Sequence, residues 1–231
     1  MNRIKLILFD LDDTLFNFEL FWTEGMKETM RLHPITCAIE TESLFQRFKY
    51  YSDSLWQQKT TFNEYRQLRL MKALDDFGIT VSKENANNFS DLFNLTYLEL
   101  IKPTHTINNM LKRLSDTYKL GIITNGAYDT CYKKVIKLKM DDIFPVESVF
   151  ISEEVGYSKP HPQIFKLAIN HFATEPNEAL FVGDNWTADI EGAINVGMST
   201  IWINNKKVIP TSIQKPTAII DTVLDIESLL S

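Results

Sequence analysis

Two aspartates stand two positions apart near the N-terminus, in the segment DLDDT that follows the apolar run LILF. In extended backbone this spacing puts the side chains of Asp10 and Asp12 on one side of the chain, roughly 6 to 7 Å apart, and a phosphoryl group fits between them. A carboxylate is already anionic at neutral pH, so Asp10 could attack phosphorus without a separate base. Asp12 could protonate the departing oxygen and later deprotonate the water that hydrolyses the acyl phosphate.

Other polar residues suited to phosphate chemistry follow three later apolar runs. Gathered carboxylates would repel an incoming phosphate dianion, and a hard divalent cation would relieve that repulsion. Oxygen ligands from Asp10 and Asp184, together with a backbone carbonyl and waters, suit octahedral Mg²⁺. Lys159 would supply a second positive charge, and the hydroxyl of Thr124 could hold phosphate oxygens together with nearby backbone N–H groups.

The elements that must position these residues follow from short apolar runs rich in β-branched side chains, which alternate with helical patterns. Such runs are typical of buried parallel strands, and the alternation predicts a doubly wound α/β sheet with right-handed crossovers. Ligands bind at the carboxyl ends of the strands in such a sheet, so the polar residues are expected to meet there. The predicted strands are 4–9, 120–124, 149–151, 179–182, 200–203 and 218–220, and the predicted helices are 108–114, 130–138, 163–172, 188–196 and 223–230.

One interval breaks this alternation, because more than a hundred residues separate the first two predicted strands. A βαβ unit needs only about 30 residues. Apolar side chains recur in the interval at helical spacing, beginning with Phe18, Trp22, Met26 and Met30 at steps of four. We therefore predict an all-α helical subdomain over 16–102, inserted into a sheet domain formed by 1–15 and 103–231.

Composition excludes several classes of protein. The 231 residues carry a formal net charge of -6 and a pI near 5.3, so the chain has no overall positive field to hold a nucleic acid polymer. The two cysteines lack metal-ligand spacing. No apolar run approaches the ~18 residues of a membrane span, and no signal segment is visible, so a cytoplasmic protein is expected. No protein partner is implied, and a small phosphorylated metabolite is the expected ligand.

Four motifs stand in order after successive strands: DLDDT, TNG, the lysine of KP, and GDNWTAD. Together they resemble the motifs of the haloacid dehalogenase (HAD) superfamily, whose phosphatases work through an aspartyl phosphate. The resemblance implies a Rossmann-like core and a residue-by-residue assignment of roles. Asp10 would be the nucleophile, Asp12 the general acid/base with its backbone carbonyl on Mg²⁺, and Asp184 a metal ligand. Thr124 and Asn125 would bind phosphate, Lys159 would stabilise charge, and Asp189 would orient Lys159 or metal-bound water.

Superfamily members whose cap follows the first motif carry a helical insert like the one predicted here. Segments near 55–65, 124–134 and 152–160 are most similar to bacterial pyrimidine 5'-nucleotidases. That similarity implies a pyrimidine nucleoside 5'-monophosphate as substrate, with an aromatic residue such as Trp56 or Phe18 in contact with the base and Trp56 as the first candidate. Alternatives on the same machinery are a sugar-phosphate, phosphoglycolate or acylneuraminate phosphatase. A mutase, a dehalogenase or a non-catalytic phosphometabolite-binding module are further alternatives, although dehalogenation would need neither Asp12 nor the metal.

Overall fold

The fold is built on one six-stranded sheet in which every neighbouring pair of strands is parallel. This computed structural model describes residues 4–55 and 61–230. The strands are β1 Leu6–Phe9, β2 Lys119–Thr124, β3 Val149–Ile151, β4 Ala179–Gly183, β5 Ser199–Ile203 and β6 Ala218–Ile220. Their order is β3-β2-β1-β4-β5-β6. The doubly wound α/β class predicted from the apolar runs is confirmed.

Helices of the sheet domain alternate with its strands. They are α5 His105–Ser115, α6 Tyr128–Lys137, α7 Ser152–Val155, α8 Pro162–His171, α9 Gly192–Asn195 and α10 Ile226–Leu230. Short 3₁₀ segments cover Val146–Ser148, Pro176–Glu178 and Val223–Asp225. Within this part, α8 packs on the sheet through Phe165, which meets Phe181 edge to face at 5.4 Å between ring centroids. Burial of each such ring contributes about 1.5 to 3 kcal/mol.

The interval between β1 and β2 is helical. It contains α1 Phe18–Leu32, α2 Thr41–Leu55, α3 Phe62–Asp75 and α4 Lys83–Leu100. The hydroxyl of Thr61 accepts a hydrogen bond from the backbone N–H of Glu64 and caps α3. Aromatic rings pack in its interior, where the buried Phe48 lies 6.1 Å from the half-buried Trp22 and 6.5 Å from the buried Phe89 between ring centroids.

Two compact units divide the chain, one formed by Met1–Phe18 with Lys102–Ser231 and the other by Glu19–Ile101. The first unit contains the whole sheet, and the second contains most of α1 and the three helices that follow it. Among the described helices of both units, none combines the length and the apolar character that a membrane span requires.

Two local features differ from the sequence-based expectation. The predicted helix 188–196 begins earlier and opens as a π-helical segment, Trp186–Glu191, before α9. Its start is set by Asn185, whose side-chain oxygen accepts a hydrogen bond from the backbone N–H of Ala188 at 2.9 Å. The one-turn helix α7 was not predicted, because four residues are too few to show helical periodicity.

Candidate active site

Asp10 lies directly after the central strand β1 and is buried. Its backbone N–H donates a hydrogen bond to the carbonyl of Val182 at 2.8 Å, which fixes the start of the loop against β4. The ammonium of Lys159 donates to Asp10 Oδ1 at 2.5 Å and to Asp189 Oδ1 at 2.6 Å. One buried lysine therefore connects carboxylates from two different loops.

Three carboxylates form a cluster at this edge of the sheet. Asp10, Asp184 and Asp189 each offer an oxygen, and these oxygens lie within 4.8 Å of one another. Burial, followed by the charge of Asp189, raises the pKa of Asp184 from 3.8 to about 7. Burial also raises the pKa of Asp10, and the neighbouring carboxylates add to this while Lys159 opposes it.

Crowded buried carboxylates of this kind are the donor set that a hard divalent cation prefers. Lys159 pairs with Asp10 and Asp189, and its single positive charge cannot balance all three carboxyl groups when they are ionised. The residues present therefore fit Mg²⁺. Burial alone would lower the pKa of Lys159, but the charges of Asp10 and Asp189 outweigh it and raise that pKa, so the ammonium stays charged.

Asp189 is held in place by the backbone of the loop that carries it. Its Oδ2 accepts a hydrogen bond from the N–H of Asn185 at 3.0 Å while its Oδ1 accepts from Lys159. Gly183, at the end of β4, lies so close that a Cβ there would overlap the carboxyl group of Asp189. The indole N–H of Trp202 donates to the backbone carbonyl of Asp184 at 2.8 Å and anchors the same loop from the side of β5.

Asn125 joins two of the sequence motifs. Its Nδ2 donates to the backbone carbonyl of Lys159 and its Oδ1 accepts from the backbone N–H of Lys159, both at 2.8 Å. The amide therefore holds the backbone from which the lysine side chain projects, a contact that sequence reasoning missed. Thr124, the last residue of β2, is buried at the same edge of the sheet. Phosphate binding by Thr124 and Asn125 stays a prediction.

Asp12 pairs with a different lysine, Lys134 of α6. The side chain of Asp12 is more exposed than those of Asp10 and Asp189, which pair with Lys159. The ammonium of Lys134 lies 2.6 Å from Asp12 Oδ1 and 2.7 Å from Oδ2. Sequence reasoning did not select Lys134, although a signal was available. The residue shares the inner face of α6 with Cys131 and Val135, where a lysine needs a buried partner. Trp56, the predicted base contact, lies outside the described residues.

The amino-acid sequence of this chain was compared with models of known protein families. The family model described as a haloacid dehalogenase-like hydrolase matches residues 4–197, which include every motif described above. The chain belongs to the haloacid dehalogenase-like hydrolases. As a member of this family it is an enzyme, and the curated relatives described below are phosphatases, which supports the phosphatase class for this chain.

Three relatives illustrate the range of named activities. Glyceraldehyde 3-phosphate phosphatase of Pyrococcus furiosus is 33% identical over 90% of this chain and 83% of its own length. The pyrimidine 5'-nucleotidase YjjG of Escherichia coli is 27% identical over 97% of this chain and 96% of its own length. Human N-acylneuraminate-9-phosphatase is 25% identical over all of this chain and 95% of its own length.

Solved structures show the same fold. The HAD-hydrolase YfnB of Bacillus subtilis, in a crystal structure bound to magnesium, superposes with a TM-score of 0.83 over 99% of both chains at 23% identity. A 2-haloacid dehalogenase of Pseudomonas syringae has a TM-score of 0.71 over 98% of both chains at 27% identity.

Proposed function

We propose that the protein is a Mg²⁺-dependent phosphomonoesterase that works through an aspartyl phosphate on Asp10. The observation that carries this proposal is the buried arrangement in which Lys159 binds Asp10 and Asp189 while Asp184 lies beside them. It supplies an anionic nucleophile and fixed positive charge at one edge of the sheet. These are the requirements of phosphoryl transfer.

In the first half of the reaction, a carboxylate oxygen of Asp10 attacks phosphorus and the bond from phosphorus to the ester oxygen breaks. Asp12 donates a proton to that oxygen, so the alcohol leaves neutral. Lys159 stabilises the charge that develops on the phosphoryl oxygens, and Thr124 and Asn125 would bind those oxygens from the end of β2.

In the second half, Asp12 takes a proton from a water molecule, and the oxygen of that water attacks phosphorus. The bond from phosphorus to the Asp10 oxygen breaks as the new bond forms. Inorganic phosphate leaves and both carboxyl groups return to their starting states. Asp10, Asp184 and the backbone carbonyl of Asp12 would hold Mg²⁺, which when bound supplies the positive charge that offsets repulsion between the carboxylates and the phosphate dianion. Asp189, through its hydrogen bond to Lys159, would keep the ammonium in position.

The proposed substrate is a small phosphorylated metabolite, with a pyrimidine nucleoside 5'-monophosphate as the first candidate. The named activity of YjjG supports this choice, together with the resemblance of the sequence to such nucleotidases. Glyceraldehyde 3-phosphate is the second candidate, because phosphatases named for it share 33% identity with this chain. An acylneuraminate 9-phosphate is a third. Asp12 argues against dehalogenation, since a halide leaves without a proton.

Phosphate release from p-nitrophenyl phosphate, measured with Mg²⁺ and with EDTA, tests the chemistry. We expect turnover that stops in EDTA and returns with Mg²⁺, and no turnover by Asp10→Asn, which keeps the shape of the side chain but loses the anionic nucleophile. Hydrolysis that does not depend on a metal ion, or an active Asp10→Asn protein, would refute the proposed mechanism. A panel of dTMP, UMP, glyceraldehyde 3-phosphate, phosphoglycolate and N-acylneuraminate 9-phosphate then ranks the substrates by kcat/KM. If a sugar phosphate has the highest kcat/KM, the nucleotidase proposal is refuted and the phosphatase mechanism still stands.

A further inference from the structure

Lys134 makes a two-point contact with the carboxylate that transfers protons in the proposed mechanism. Its Nζ lies 2.6 and 2.7 Å from the two carboxylate oxygens of Asp12. The lysine side chain is only 4% exposed, whereas that of Asp12 is 24% exposed. The lysine is therefore the fixed partner of the pair, and the carboxylate is the partner that solvent can reach.

The surroundings of Lys134 restrict where its ammonium can go. The Nζ atom lies 5.7 Å from the ring centroid of Phe16 and 5.3 Å from that of Phe18, within the range of cation–π attraction. The backbone of Asp12 forms a bridge with that of Phe16, so the ring belongs to the same loop as the carboxylate. The ammonium is thus held on two sides at the loop that follows β1.

The helix that carries Lys134 is itself tied to the end of β2. One turn earlier on α6, the sulfur of Cys131 packs against Gly126 so closely that a Cβ at that glycine would overlap it. The same inner face of α6 therefore contacts the segment that follows Thr124 and the loop that contains Asp12. A rigid helix in this position fixes the distance between the two loops.

We propose that Lys134 is a positioning residue for the proton transfers of Asp12, an inference that rests on the proposed function. Two N–H···O bonds from one ammonium turn both oxygens of the Asp12 carboxylate towards Lys134 and fix the location of the group. A carboxylate with one bond or none can rotate about its side-chain torsions, and a misplacement of about 1 Å can cost about a hundredfold in rate. Lys134 does not touch phosphate or the leaving group in this assignment.

The test compares two leaving groups, because p-nitrophenolate departs without a proton and an alkoxide does not. The measured quantity is kcat/KM, which reports steps through departure of the alcohol and excludes the later hydrolysis common to both substrates. The alkyl phosphate used is the one that the wild-type protein hydrolyses fastest. We expect Lys134→Met to lower kcat/KM for this substrate by a factor at least ten times larger than the factor for p-nitrophenyl phosphate. Lys133→Met, at an exposed position of the same helix, should leave the ratio of the two values unchanged.

Two further variants separate positioning from a purely structural role. Lys134→Arg keeps a charged donor that can bind both oxygens, so it should restore the ratio to within about threefold of wild type. In an Asp12→Asn background, Lys134→Met should change the ratio by less than twofold, because the group it positions has gone. This comparison holds even if the single variant is less stable, and circular dichroism checks that each protein is folded.

Equal losses of kcat/KM for the two substrates in Lys134→Met would overturn the inference while leaving the phosphatase proposal intact. A further selective loss in the Asp12→Asn background would overturn it as well, because Lys134 would then act on something other than Asp12. A wild-type protein that hydrolyses no phosphomonoester would instead remove the proposed function, so the two failures are distinguishable.

Discussion

Replacing Asp184 by asparagine should stabilise the metal-free protein, even though it removes a proposed metal ligand. The carboxyl group is mostly buried beside Asp189, and its pKa is raised from 3.8 to about 7. In metal-free solution above pH 7, the folded protein must carry this group ionised in a place that favours its neutral form. Asparagine keeps the shape of the side chain and carries no charge.

The magnitude follows from linkage between protonation and folding. A group with a raised pKa binds its proton more tightly in the folded protein, so its contribution to stability is full below 3.8 and is lost as pH rises towards 7. Each pKa unit corresponds to about 1.4 kcal/mol. At pH 8 the ionised carboxyl group of Asp184 therefore lowers the free energy of unfolding by at most about 4 kcal/mol. We expect Asp184→Asn to raise the free energy of unfolding in EDTA at pH 8 by about 2 to 4 kcal/mol and by little at pH 4.

Urea unfolding followed by circular dichroism, in EDTA between pH 4 and 8, measures this difference. Saturating Mg²⁺ should shrink or reverse it, because the wild-type protein then gains binding energy that the variant lacks. Asp221→Asn is the control, since Asp221 forms an exposed ion pair with Lys207 and should change stability by less than about 0.5 kcal/mol. A metal-free Asp184→Asn protein that is less stable than wild type at pH 8 would refute the electrostatic account of the cluster.

Two further predictions concern packing around the site. Burial raises the pKa of the Cys131 thiol to about 11, whereas Cys37 is exposed, so the native protein should react with a thiol reagent at one cysteine and the unfolded protein at two. Peptide mapping that finds Cys131 labelled in the native state would contradict this. Gly183→Ala should displace the carboxyl group of Asp189 and lower both the free energy of unfolding, by about 1 to 3 kcal/mol, and kcat. Urea unfolding and phosphate release measure the two effects. Wild-type values for both would show that the loop carrying Asp189 accommodates the added methyl group, and would contradict this prediction.

The sequence predicts the sheet well because its strands are short apolar runs, and the four inner strands are almost entirely buried. Strand β3 has the predicted bounds, and β2 begins one residue earlier than expected. Asp10 and Asp184 meet at one edge of the sheet because residues that follow parallel strands share that edge, whatever lies between them in the chain.

Contacts made by side chains across the fold were beyond sequence reasoning. The bond from Lys134 to Asp12 depends on how α6 packs and on which way a helical side chain points, and residue spacing does not supply either. The amide of Asn125 could serve phosphate or backbone by its chemistry alone, and only the folded chain shows its bonds to the backbone of Lys159. The assignment of Trp56 to the substrate base stays a prediction.

The central strand precedes the helical unit and the other described strands in the sequence, and this order affects how the protein can fold during synthesis. Strand β1 pairs with β2 and β4, and more than a hundred residues separate it from the first of these. A ribosome therefore completes the helical unit Glu19–Ile101, whose contacts are local, while β1 still has no strand to pair with. Pulsed hydrogen exchange during refolding should protect amides of α3 and α4 before those of β1, and the reverse order would contradict this sequence of events. Asp10, which carries the proposed nucleophile, is thus translated before the helical unit but reaches its working environment after that unit has been completed.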